Sequence, residues 1–345
     1  MIDEAQRLDH SLQRFGRQQA QGGSVLDDPY HYSDVTATNA DEIAVSLHGF
    51  EQEYQQISPG GFAGRMTTIR FDGFQIAREF TNGSTYEQGA PVGDRCNFVF
   101  PLSMAGRVRC LGREVTLHDA FVIAPSYEYD LQLNRELVLG VLSIERESLR
   151  DFAQQVDDEV DVDAVGAGTH ILHGDPRLVD DLRRLFESTF AHFGSNQTDL
   201  RKPQIRRELR TSILTALLAL FGCESDEPSV HPSARHPLVE RATNYVLTRQ
   251  HEVIGIEDVC REVHVSRRKL QYCFQQELGI SPAQYLRALR LRSARRMLQA
   301  TKPNEKSIAD VASDFGFWHF SRFAQHYRKM FGELPSQTSR AERTT

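Results

Sequence analysis

The chain has 345 residues, 40% hydrophobic and 25% charged, with a net charge of −7. The length suggests two or three domains, and the composition excludes collagen-like and wholly disordered classes. No segment approaches the ~20 consecutive apolar residues that span a bilayer, and the start MIDEAQRLDH lacks the basic and apolar regions of a secretory signal, so no membrane partner and a cytoplasmic location are expected.

Cys96, Cys110, Cys223, Cys260 and Cys273 are widely spaced without a CxxC pair, which predicts buried thiols rather than disulfides or a zinc site. No cofactor and no metal are expected. The net charge hides an asymmetry: residues 236–345 carry 18 Lys/Arg against 11 Asp/Glu, a net +7, whereas the residues before them carry 22 against 36, a net −14. A basic C-terminal module on an acidic body suits local docking on a polyanion such as nucleic acid.

Residues 1–40 show weak periodicity and read as a flexible or partly helical arm. Between about Arg65 and Glu145 short apolar runs (MTTIRF, GFQIAREF, NFVFPLSM, RVRCL, EVTL, AFVIAP, YDLQL, LVLGVLSI) alternate with turn signals, among them Asn82-Gly83 and Leu111-Gly112. This is the pattern of a sandwich or barrel and predicts a β-rich, barrel-like domain over 41–165. Within 166–222, residues 178–193 and 204–221 each carry an apolar stripe at helical spacing, suited either to homodimer packing or to covering the barrel. The aperiodic, Pro- and Ser-containing 223–235 reads as a linker, and 236–345 as an all-α domain.

That last domain contains an internal repeat. Ile256, Val259 and Cys260 recur as Ile308, Val311 and Ala312 at an offset of 52, while Leu270, Phe274, Leu278, Gly279 and Pro282 recur as Phe323, Tyr327, Phe331, Gly332 and Pro335 at an offset of 53. One residue is inserted at the second turn. Each unit, 256–278 and 308–331, reads as a short helix, a tight turn and a longer helix that ends at a Gly suited to left-handed backbone. Between them, Ser281, Pro282 and Gln284 form a capping box that starts a connecting helix, and Ser307 with Asp310 repeats the device. Two rigidly spaced helix-turn-helix units match two successive major-groove segments, about 34 Å apart.

Helical geometry then assigns faces. With Leu270, Cys273 and Phe274 inward, Arg268, Gln271 and Tyr272 become base-edge candidates, and Arg267 and Lys269 flank them at phosphates. In the second unit Ser321, Gln325 and His319 face the groove, with Arg322, Arg328 and Lys329 near phosphates. Trp318 reads as a packing residue at the turn. His170 and His173 have a metal-like spacing only if helical and read as a surface pair. No GxSxG, Walker-type or HExxH run occurs.

The run IADVA, Gly316-Phe317 and SRFAQHYRKMFGELPSQ, within 236–338, resembles the AraC/XylS DNA-binding domain. Cys260 replaces the family's usual Ala, and Trp318-His319 its usually polar turn. The resemblance supports Arg268, Tyr272, Ser321 and Gln325 position by position. Residues from about Phe50 to Glu147 look like the sensor domains of the XylS-like branch, and GFWHFSRFAQHYRKMF with EQEYQQISPGGFAG looks most like regulators of ethanolamine-utilisation operons. The resemblance implies an α+β chain: a cupin-like sensor domain with flanking helices, then the two helix-turn-helix units. It also implies a transcription activator, not an enzyme, whose partners are promoter DNA, RNA polymerase and a small effector.

An amine such as ethanolamine would want a buried carboxylate and an aromatic wall. Glu79, Asp94 and Asp119 with Phe98, Phe100 and Tyr127 lie in the right region, but alternation does not say which point inward, so the effector-binding residues stay unknown. Two other readings remain. A cupin-like metabolite-binding enzyme would need a His/Glu metal cluster, and His118 is the only His between 65 and 145. A regulator controlled by a protein partner needs no pocket at all.

Overall fold

A computed structural model describes residues 30–125, 127–156, 168–173, 175–221, 235–249, 252–301 and 305–341. The expected arm ends earlier than residue 40, because Tyr30–Ala37 is a strand, β1, paired antiparallel with Gly64–Phe71. A short helix α1 (Ala40–Ala44) follows, capped by Asn39, whose side chain accepts from Glu42 N. Then come β2 (Phe50–Gln56), β3 (Gly64–Phe71), β4 (Phe74–Thr81), β5 (Thr85–Pro91), β6 (Arg95–Met104), β7 (Val108–Cys110), β8 (Arg113–Val115), β9 (Asp119–Ile123), β10 (Tyr129–Leu133) and β11 (Leu137–Glu145). Helix α2 (Arg146–Val156) and strand β12 (His170–His173) complete this part, so the HILH run is a strand rather than a helix. The predicted linker lies almost wholly outside the described residues.

Strand pairing gives two sheets, β1-β3-β4-β11-β6-β9-β12 and β2-β5-β10-β7-β8, rather than one closed ladder. The barrel-like domain is thus built as two antiparallel sheets with an apolar core between them, including Val99, Phe121, Leu131 and Val141. At Leu111 (φ 50°) and Gly112 (φ 72°) two left-handed residues make the tight β7–β8 turn, as the Leu-Gly pair suggested.

Helices α3 (Pro176–Ser195) and α4 (Pro203–Phe221) lay their apolar stripes on the outer face of the seven-stranded sheet. Phe186 meets Phe100 edge-on at 4.7 Å, and a side chain at Gly140 would collide with that Phe100 ring at 2.8 Å. Burying an aromatic of this size contributes about 1.5–3 kcal/mol. Of the two roles open to these stripes, the sheet takes them.

The C-terminal module comprises α5 (His236–Leu247), α6 (Ile256–Glu262), α7 (Arg267–Glu277), α8 (Pro282–Ala300), α9 (Ile308–Asp314), α10 (Phe320–Phe331) and α11 (Pro335–Ala341). It has two cores. One gathers α5, α6, α7 and the start of α8 around Leu270, Phe274 and Tyr285; the other gathers the end of α8 with α9 and α10 around Val311, Phe323 and Tyr327. Ile57 and Tyr86 of the β domain complete the first core. Among the described residues no helix is long and apolar enough to cross a membrane.

Candidate nucleic-acid interface

The two units are superimposable in their local chemistry. In the first, His264 takes left-handed φ 55° and Ser266 caps α7 by accepting from Lys269 N; in the second, Gly316 takes φ 76° and His319 is the N-cap of α10. Val265 N donates to Cys260 O at 3.0 Å, as Phe317 N donates to Ala312 O at 2.9 Å. The offset changes only between Phe317 and His319, so the inserted residue is Trp318.

Trp318 does not pack. It is 75% exposed, which corrects the expectation of a packing residue: the insertion lengthens the turn and pushes the indole out. Phe320, the first residue of α10, is also about half exposed. The sequence reading missed it because an apolar side chain at that position reads as core.

Connecting helix α8 begins with the expected box, Ser281 N donating to Gln284 Oε1 at 2.8 Å and Gln284 N to Ser281 Oγ at 3.2 Å. Its Tyr285, Leu286 and Leu289 pack into the first unit, and Ala288, Leu291, Ala294 and Leu298 into the second, which fixes the separation of α7 and α10. Leu270, Cys273 and Phe274 point inward on α7, and Phe323, Tyr327, Met330 and Phe331 on α10. The opposite faces expose Arg267, Arg268, Lys269, Gln271 and Tyr272 on α7, and His319, Ser321, Arg322, Gln325, Arg328 and Lys329 at or on α10.

Three further side chains join these faces that the sequence reading did not place there. The Arg235 guanidinium lies over the Tyr272 ring at 5.4 Å, adding a positive charge beside α7. Arg287 of α8 and His326 of α10 belong to the positive surface around Arg322 and Lys329. Partial burial, and then those three cations, hold the His326 ring below its ordinary pKa, so it is neutral near pH 7. Arg287 was invisible as a site residue because it is on the connecting helix, outside either reading helix.

The acidic body grips this module on two sides. Asp41 accepts from Arg292 Nε and Arg296 Nε, each at 2.9 Å; burial pushes the Asp41 carboxyl up, but the charges and hydrogen bonds of those two guanidiniums outweigh it and hold the group well below its ordinary range. Near the first unit Arg109 donates to Gln276 O at 2.8 Å, Tyr86 donates to Asp130 Oδ2 at 2.9 Å, and His236 Nε2 lies 3.3 Å from the same oxygen. Near the second, Gly60 N donates to Lys329 O and Gln56 Nε2 to Met330 O. The C-terminal end of α10 is thus docked, while the N-terminal ends of α7 and α10 stay free of these contacts.

Of the side chains singled out for a ligand, Asp94 is exposed beside Arg146, Asp119 accepts from Thr116 N and Oγ1, Phe98 and Phe100 face the helices, and Tyr127 is exposed. Glu79 shares the inner face of Met66 and Leu139, between the sheets. His118 is exposed, and among the described residues no group of three or more His, Cys, Asp or Glu is placed to hold a metal.

Residues 259–341 match the model of a helix-turn-helix domain. The XylDLEGF operon transcriptional activator of Pseudomonas putida is 32% identical over 138 residues, 40% of this chain and 42% of that relative. The XylDLEGF operon transcriptional activator 2 of the same organism is 36% identical over 103 residues, 30% of this chain and 66% of the relative. Among solved structures, the AraC-like transcriptional activator CuxR aligns over 76% of this chain and 95% of its own, with 19% identity and a TM-score of 0.40. The chain spans about two fifths of the first of these curated relatives.

Proposed function

We propose, from the premise that the C-terminal module is that of an AraC/XylS-family helix-turn-helix regulator, that this chain is an effector-responsive transcription activator reading two successive major-groove segments of promoter DNA. Helix α7 enters one segment with Arg268, Gln271 and Tyr272 at base edges, and α10 the next with His319, Ser321 and Gln325. Arg267, Lys269, Arg322, Arg328 and Lys329 neutralise phosphates. The observation that carries this reading is that every one of these side chains is exposed on two helices held at fixed separation by α8. Arg to guanine and Gln to adenine are the bidentate pairings that groove geometry favours.

In this reading residues 41–165 form a cupin-like sensor, 166–222 its helical cover, 223–235 the linker and 236–345 the DNA-reading module. A small effector binds the sensor and, by binding one docked state better than another, shifts the module towards a form that recruits RNA polymerase. The likeness to ethanolamine-operon regulators supports an amine as that effector. A homodimer through 178–221 would use the outward polar faces of α3 and α4, since their apolar stripes already pack on the sheet.

The test uses duplexes selected by the full chain from a random-sequence pool. Arg268→Glu and Gln325→Glu, each with unchanged thermal unfolding, should abolish protection of the selected site. If both variants protect the same DNA as the parent, the reading face is wrong.

A further inference from the structure

The core between the two sheets is interrupted by a buried polar patch. Glu79 of β4 lies in register with Met66 and Leu139, and Glu87 of β5 with Tyr54 and Leu131, all four partners belonging to the inter-sheet core. Because side chains alternate along a strand, the two carboxyls enter the same space from opposite sheets. Both are almost fully buried, at 3% and 1% exposure.

Tyr54 Oη donates to Glu79 Oε2 at 3.0 Å and also lies within bonding range of Glu87; Thr85 Oγ1 donates to Glu87 Oε1 at 2.9 Å. Among the described residues no cation pairs with either carboxyl. Glu79 Oε1 is buried without any hydrogen-bond partner, and so is Thr68 Oγ1, which lies on the same inner face of the seven-stranded sheet.

This arrangement is costly unless something else neutralises it. A phenol has one proton, so Tyr54 satisfies one carboxylate as donor and leaves the other to hold its own proton or a cation. Burial pushes Glu79 up to about 7, and burial with the nearby Glu79 charge holds Glu87 well above its ordinary range. The other titratable groups against the pair, Tyr54 of β2, Tyr129 of β10 and Cys110 of β7, are all held neutral by burial.

The surroundings select the kind of cation. A calcium ion takes six to eight oxygens and a zinc site at least three protein ligands, more than two carboxyls offer. Tyr54 and Tyr129 with Met66, Leu131 and Leu139 instead surround the pair with aromatic and apolar side chains, which suit a cation that carries carbon.

We infer that Glu79 and Glu87 are the anionic seat of a small organic ammonium ion, bound between the two sheets of the sensor domain. The ammonium N–H groups donate to Glu79 Oε1, to Glu87 and to Thr68 Oγ1, and its carbon lies against Tyr54 and Tyr129. Binding displaces the proton that the acid pair otherwise keeps. The inference rests on the sensor reading for its biological role, but not for the binding itself.

Calorimetry and thermal shift on the full chain test it, with methylammonium, ethylammonium and tetramethylammonium chlorides as probes and ethanol and potassium chloride as matched controls. Methylammonium or ethylammonium should bind saturably at pH 8, with tetramethylammonium, which has no N–H, at least tenfold weaker; below pH 7 binding should release about one proton and weaken about tenfold for each pH unit. Glu79→Gln and Glu87→Gln should each lose at least tenfold in affinity. No saturable binding by methylammonium or ethylammonium, or undiminished binding by both variants, overturns the seat. Should the variants fail to fold, carbon-13 NMR of the Glu carboxyls in the unaltered chain at pH 6, where Glu79 holds its proton, decides: an ammonium-dependent move of Glu79 towards its ionised position supports the seat, and an unmoved resonance at saturating ammonium overturns it. Anisotropy with the selected DNA separates the two readings. DNA binding without ammonium binding leaves the regulator and removes the seat. Ammonium binding that leaves DNA affinity unchanged keeps the seat and removes its sensing role.

Discussion

Asp41 of α1 and Arg292 of α8, 251 residues apart in the chain, meet in a charge-assisted hydrogen bond of 2.9 Å from Arg292 Nε to Asp41 Oδ1. Arg292 is nearly buried, whereas the Asp41 side chain is a third exposed. Part of the charge asymmetry between the acidic body and the basic module is therefore spent inside the molecule, on the helix that spaces the two helix-turn-helix units.

Asp41→Ala takes from the buried Arg292 guanidinium its hydrogen-bonded carboxylate and leaves only Glu53, at 3.5 Å. Removing one partner of a buried pair costs about 3–5 kcal/mol, and the exposure of Asp41 lowers the expectation to about 2–3 kcal/mol in urea unfolding. The double variant Asp41→Ala, Arg292→Met should recover part of that loss, because the more deeply buried guanidinium goes with its partner, while Arg296 and the half-exposed Glu53 lose theirs. A double variant no more stable than Asp41→Ala would refute a buried pair as the source.

The pH dependence has a definite sign. Glu79 keeps its proton to about pH 7 in the folded chain but releases it near its ordinary value of 4.5 when unfolded. Its contribution is complete below the lower value and is lost as pH rises through the upper one, on the order of 3 kcal/mol. Asp41 acts in the opposite direction and in a separate window, losing its contribution as pH falls below the ordinary carboxylate range. Glu79→Gln should flatten the decline in unfolding free energy between pH 5 and 7; an unchanged slope would assign it to other groups.

Arg322 is exposed at the start of α10 beside the positive surface of Arg287 and Lys329. Arg322→Ala should weaken binding similarly for all DNA sequences and reduce the slope of log affinity against log salt by about 1. Gln325→Ala should instead relax preference at one base position. Exchange of those two behaviours would mean that the groove and phosphate assignments are reversed.

Trp318→Ala should leave stability within about 0.5 kcal/mol, because the indole is already in solvent. Under the proposed groove docking of α10, its place immediately before that helix puts the indole against the duplex, so affinity for selected duplex should fall by about fivefold or more, roughly 1 kcal/mol. Unfolding at a much lower temperature would restore it to a packing role.

The sequence by itself determined the elements whose signals are local. Ser281 and Ser307 start helices because a hydroxyl satisfies a free backbone N–H two or three residues ahead, and Gly332 ends one because left-handed backbone costs it nothing. The repeat located both units, and the outward faces of α7 and α10 followed from helical spacing alone. Tertiary structure decided what depends on partners far along the chain. The seven-stranded sheet is covered by helices on one face and by the second sheet on the other, so β4 is apolar towards both sides and its alternation could not show that Glu79 faces inward. Asp41 carries no local mark of its arginines, and the stripes of α3 and α4 fit a sheet or another copy equally well until the chain has folded. Trp318 joins both cases: the change of offset announced one inserted residue at the second turn, and only the packed units showed which residue it was and that its ring stands in solvent.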